Sequence, residues 1–170
     1  THPPTTPAHN PPPPHIGPLP PPSPHPPPPR PPPPTPVGAI YGEERLNEKN
    51  ISIDHFVPWS YVAHDELWNL TPTTRSMNSR KSNSLPDWNT YFPMLCKSEY
   101  LSYEMMWEYP EIHAAFEKCA REHLNNQEIK HKLYQRGLSE REFSGRLEEV
   151  MFPVYQSAKS MGFSNWSLRV

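Results

Sequence analysis

The chain has only two cysteines, Cys96 and Cys119, and no apolar run near 18 residues. Two widely spaced thiols without zinc-type spacing exclude a disulfide framework and fit a reducing cytosol. With no long apolar run and no signal peptide, neither membrane insertion nor secretion is expected. Gly-rich phosphate loops, Ser-His-Asp constellations and internal repeats are also absent. Charge and apolar side chains are missing from the first 36 residues, which hold Arg30 as their one charged group and little apolar beyond Ile16 and Leu19. Such a segment cannot bury a core.

Proline is what that segment has instead: 21 of the 27 prolines lie in residues 1–36. A run of this kind populates polyproline II at about 3.1 Å per residue, so the arm reaches on the order of 100 Å when straight. It reads as a semi-rigid linker or as a docking strip for an aromatic-lined groove. Because the chain begins at Thr1, it reads as a processed chain, a recombinant fragment or the C-terminal piece of something longer. The remaining 134 residues suffice for one domain. They carry 15 lysines and arginines against 18 aspartates and glutamates, a formal charge of −3, so composition gives no basic footprint of the kind that holds a polyanion.

Residues 37–49 form a transition: Val37 to Tyr41 suits a short strand or an anchor against the helical part, and Glu43 to Lys49 belongs on the surface. From residue 87 to 170 the character is helical. Pro93 predicts two short pieces between Asp87 and Lys97, followed by a helix over Glu99 to Glu108. Pro110 opens another helix, in which Ile112, Ala115, Phe116 and Cys119 make one apolar face. Ile129 and Leu133 mark a shorter helix. Ser139 with Glu142 is a capping box, leading into a stripe of Phe143, Leu147, Val150, Met151, Val154, Ala158 and Met161, kinked at Pro153 and ended by Gly162. Met105, Met106, Trp107 and Tyr109 read as core, and His113, His123 and His131 as surface.

Between these lies Ile51 to Pro86, which holds Asp54-His55 at the end of an apolar run, Asn69 fourteen residues after His55, and Asn78 in an Asn-x-x-Lys that ends at Lys81. With Pro58, the Trp68-Asn69-Leu70 triplet and the Lys81-Ser82 exit toward Leu85-Pro86, this stretch resembles an HNH nuclease motif. Many HNH members bind a structural zinc through Cys-x-x-Cys pairs, but Thr74 and Met77 precede the final Asn here, so no structural zinc is expected. The likeness is to the Cys-free branch that includes the HNH domain of RNA-guided CRISPR effectors, and it covers only these 36 residues.

The local chemistry gives the same outline. Ile51, Ile53, Phe56 and Val57 suit a short strand and Asn69-Leu70-Thr71 its partner, with His64-Asp65-Glu66 in the connection. Pro72 should end the second strand, and Thr73 or Thr74 should cap a helix running to about Ser84. The expected fold class is therefore α+β: a ββα-metal core at residues 50–86, closed by a helical C-terminal region and preceded by the proline-rich arm. Within the core His64 reads as a solvated loop residue, and Trp59 and Trp68 as packing groups.

Hydrolysing a phosphodiester needs a nucleophilic water, a group to take its proton, and positive charge for the developing oxyanions. Asp54 and Asn78 offer hard oxygen ligands for one Mg²⁺, with Mn²⁺ as substitute. His55, beside a ligand, suits a general base near neutral pH. The resemblance makes Asn69 a brace that pins the loop holding His55. Arg75, Arg80 and Lys81 are candidates for phosphate contact. The implied activity is metal-dependent cleavage of DNA by a cytoplasmic protein in a bacterial or phage-type setting, with the arm joining it to a DNA-bound protein or ribonucleoprotein of defence or CRISPR-associated type. The alternative is a catalytically idle HNH-like module that binds nucleic acid or protein.

Overall fold

A computed structural model of the protein describes residues 39–42, 45–124 and 126–168. The proline-rich arm, residues 1–36, lies outside the described residues. The elements run β1 (Ile51–His55), α1 (Trp59–Val62), a 3₁₀ turn (Leu67–Asn69), β2 (Leu70–Thr74), α2 (Arg75–Lys81) and β3 (Leu85–Pro86). Then come α3 (Trp88–Glu108), α4 (Pro110–His123), α5 (Gln127–Tyr134), α6 (Glu140–Ser160) and β4 (Asn165–Trp166). Helices dominate and the sheets are small, an α+β mixture.

β1 and β2 pair antiparallel, with Ile53 opposite Pro72, Asp54 opposite Thr71 and His55 opposite Leu70. Contrary to the expectation that Pro72 would end it, β2 runs through the proline to Thr74. The register explains why. Phe56 N–H donates to Asn69 O and Arg75 N–H to Asn50 O, so the hydrogen-bonded pairs are those of Asp54 and Ser52, and Ile53 with Pro72 is a non-bonded pair. The N–H that proline lacks would point away from the partner strand, where a two-stranded ribbon needs none.

The Thr74 hydroxyl accepts from Met77 N–H at 3.2 Å and so caps α2. α2 stops at Lys81 rather than near Ser84, because Ser82 takes φ +50° and turns the chain out of the helix. Leu85 and Pro86 then pair in parallel with Asn165 and Trp166, a contact that two-residue segments do not announce in advance.

α3 is one helix of 21 residues, not the separate pieces expected from Pro93. Asp87 caps it by accepting from Thr90 N–H at 2.9 Å, and Pro93 stands early in the helix, where it removes a single carbonyl's partner. The loss is outweighed by one continuous buried face: Tyr91, Phe92, Leu95, Tyr103 and Met106. α6 likewise runs through Pro153, from a complete Ser139–Glu142 capping box to Gly162 at φ +95°. Its buried face is Phe143, Leu147, Met151, Tyr155 and Ala158, while Met161, counted in the stripe, is 71% exposed.

Phe56 joins the ββα unit to the helices. Fully buried, it meets Trp88, Phe92 and Tyr155 with ring centroids 6.1, 6.4 and 6.5 Å away. Ala39, Ile40 and Tyr41 are buried and serve as the anchor rather than a strand; Tyr41 packs edge-on against Tyr91 and Trp166. Trp68, Met106 and Tyr109 are core, whereas Trp59, expected to pack, is 55% exposed. No helix among the described residues is long and apolar enough to cross a membrane.

Candidate active site

Strand alternation sorts the site. Ser52 and Asp54 leave β1 on one face, and α2 lies across that face with Asn78 and Lys81, three residues apart, above them. Asn78 Nδ2 donates to Ser52 Oγ at 2.9 Å and to Ile53 O at 3.1 Å. Both amide hydrogens are thereby used. The Asn78 carbonyl oxygen accepts no hydrogen bond from the described residues and stays available as a hard donor.

Lys81 has a post that its place in an Asn-x-x-Lys did not suggest. It is 1% exposed, and its ammonium lies 3.0 Å from Asp54 Oδ2 and 3.3 Å from Oδ1 while donating to His55 O at 2.7 Å. A phosphate cannot reach it there, so the expected phosphate contact is corrected to a buried ion pair. Burial raises the Asp54 carboxyl above its ordinary value, with Lys81 and the Tyr41 phenol pulling it back. Burial also lowers Lys81 and, reinforced by Asp54, pushes Tyr41 well up. Arg75 and Arg80, on the same short helix, are exposed.

Asn69 is fully buried. Its Oδ1 accepts from Val57 N–H at 2.7 Å and its Nδ2 donates to Val57 O at 2.8 Å, which fixes the backbone two residues past His55. No hydrogen bond among the described residues joins the ring of His55 to Asp54 or Asn78. Its partner is Asp65, whose Oδ1 lies 2.8 Å from Nε2. Asp65 was assigned only to a connection and His64 to solvent; His64 is exposed, and the residue beside it makes the contact. Asp65 follows His55 by ten positions with α1 between them, and no spacing rule exposes such a pair.

The donor set suits a hard divalent cation. Asn78 offers an unclaimed carbonyl, and a cation would share the Asp54 carboxylate with the Lys81 ammonium 3.0 Å from Oδ2. Thr71, opposite Asp54, keeps a buried hydroxyl without a partner. Among the described residues no three His, Cys, Asp or Glu converge, so a cation here would be held by an Asp–Asn pair and complete its shell with water.

The hairpin and the short helix that carry Asp54-His55, Asn69 and Asn78 make one ββα unit. Residues 38–87 match the model of the HNH endonuclease family. The match reaches the family and no particular branch of it. Neither the curated proteins nor the solved structures compared with the chain gave a match.

Proposed function

We propose that the protein is a metal-dependent endonuclease that hydrolyses DNA phosphodiester bonds. The observation that carries this reading is the pinned amide of Asn78, whose two N–H groups are spent on Ser52 and Ile53 so that a carbonyl is left for a cation beside Asp54. Bound there, Mg²⁺ or Mn²⁺ would supply positive charge for the non-bridging oxygens and the leaving oxygen. His55 takes the proton of the attacking water through its free ring nitrogen. Asn69 keeps the backbone after His55 in place, and Arg75 and Arg80 meet flanking phosphates.

The second reading, an idle HNH-like module that binds DNA or protein, is favoured by one observation: Asp54 is already engaged by a buried ammonium. Nicking of supercoiled plasmid with Mg²⁺, at low salt and with protein in the high micromolar range so that weak binding does not limit it, separates the two. The wild type should nick, His55→Ala should lose about 10² to 10⁴ in rate while staying folded, and Asn78→Ala should need more Mg²⁺. Cleavage by His55→Ala within tenfold of wild type overturns the assignment of the base. No metal-dependent cleavage by the wild type leaves the binding module.

A further inference from the structure

Asp65 stands in the loop between α1 and the 3₁₀ turn. The Ala63 N–H donates to Trp59 O at 2.7 Å, closing α1 with Ala63 in the left-handed region at φ +56°. At the other end of the loop Asn69 N–H donates to Glu66 O at 2.8 Å, and the Asn69 side chain is itself tied to Val57. The loop is thus fastened on both sides of Asp65. Its Oδ1 lies 2.8 Å from His55 Nε2, the length of a charge-assisted hydrogen bond.

We infer that Asp65 is a positioning residue for His55, holding the imidazole proton on Nε2 so that the lone pair of Nδ1 is the one offered to water. The inference rests on the reading of His55 as the base of an HNH nuclease. An ionised carboxylate only accepts hydrogen bonds, so the nitrogen facing it must carry the proton, and in a neutral imidazole the other nitrogen is then bare. Nδ1 has no hydrogen-bond partner among the described residues. The side chain of His55 is 20% exposed and that of Asp65 50%, so the ring is mostly packed and its partner half open. A half-exposed pair contributes little to folding. Substitution of Asp65 should therefore leave the fold intact and change the ring's tautomer and orientation.

The test compares the wild type with Asp65→Asn, Asp65→Glu and His55→Ala. An Asp→Asn change beside a catalytic histidine costs about 10⁴ where the pair is buried, and for this half-open pair about 10- to 100-fold in kcat is expected, with KM for DNA within about twofold. Asp65→Glu, which keeps the carboxylate on an open loop, should recover most of the loss. A two-bond ¹H–¹⁵N spectrum of the imidazoles at pH 8, with His55 assigned by its absence in His55→Ala, should show the Nε2–H tautomer in the wild type and its loss of preference in Asp65→Asn. The inference is overturned if the wild type holds the Nδ1–H tautomer, or if Asp65→Asn cleaves like wild type while His55→Ala does not. If no form of the protein cleaves DNA, the nuclease reading fails, yet the spectrum still reports whether Asp65 sets the tautomer.

Discussion

At the scale of single residues, the Asp54–Lys81 pair carries most consequence. Both groups are nearly inaccessible, 5% and 1% exposed, and the directions of their titrations agree that burial costs each of them. Removing one partner strands the other charge in the interior, at a cost of about 3–5 kcal/mol. Lys81→Ala should therefore lower the urea midpoint strongly, and Asp54→Asn combined with Lys81→Met should recover part of the loss. A Lys81→Ala protein as stable as wild type, but binding DNA with a shallower salt slope, would show that Lys81 faces phosphate after all. Asp54, His55, Asn69 and Asn78 could be singled out beforehand because the resemblance to the HNH motif rests on residue type and spacing. The post of Lys81 could not, since a lysine beside exposed arginines looks like a third surface cation until the strand beneath it is known. Asp65 was hidden for a related reason: its partner is set by a loop closure and not by a period.

Among the elements, the α3–α4 pair leaves a mark that pH can read. The apolar face of α4 turns toward a cavity of about 330 Å³ lined by Leu70, Pro72, Met106, Ile112 and Phe116, with Glu99 of α3 in its wall. Burial pushes the Glu99 carboxyl up from 4.5 to about 8. Between those values the folded protein keeps a proton that the unfolded chain releases. The contribution is thus fully present below about pH 4.5 and is lost as pH rises through 8. Glu99 retains some exposure, which reduces the effect to on the order of 2 kcal/mol, worth about 4–8 °C in Tm. Glu99→Gln should raise Tm over wild type by a margin that grows from pH 5 to pH 8.5; a constant margin would show the carboxyl to be solvated. The helices themselves were legible from caps and apolar periods, as the Ser139–Glu142 box and the α6 stripe attest. Pro72 and Pro93 misled because a proline breaks an element only where its N–H is needed, and that depends on register and tertiary burial. The β3–β4 pairing joins segments nearly 80 residues apart and has no local signal.

For the molecule as a whole, charge is the deciding quantity. Residues 37–170 carry 15 basic against 18 acidic side chains, a net −3, and with Lys81 buried only Arg75 and Arg80 of α2 remain exposed beside the candidate cation site. A protein that seizes DNA unaided neutralises several phosphates, and each such contact steepens the salt dependence of binding. Two exposed arginines on an acidic body should bind no better than ordinary non-specific association, about 10⁻⁴ to 10⁻⁶ M at physiological salt. Joining the N-terminus to a DNA-bound partner would be a remedy that needs no new contact, because tethering raises the local substrate concentration to the order of millimolar. We expect the free protein to cut DNA poorly at about 0.15 M salt, with a shallow salt slope, and to cut efficiently once its N-terminus is fused to a sequence-specific DNA-binding protein and the target carries that protein's site. Efficient cleavage by the free protein at nanomolar concentration would show instead that the domain holds DNA by itself.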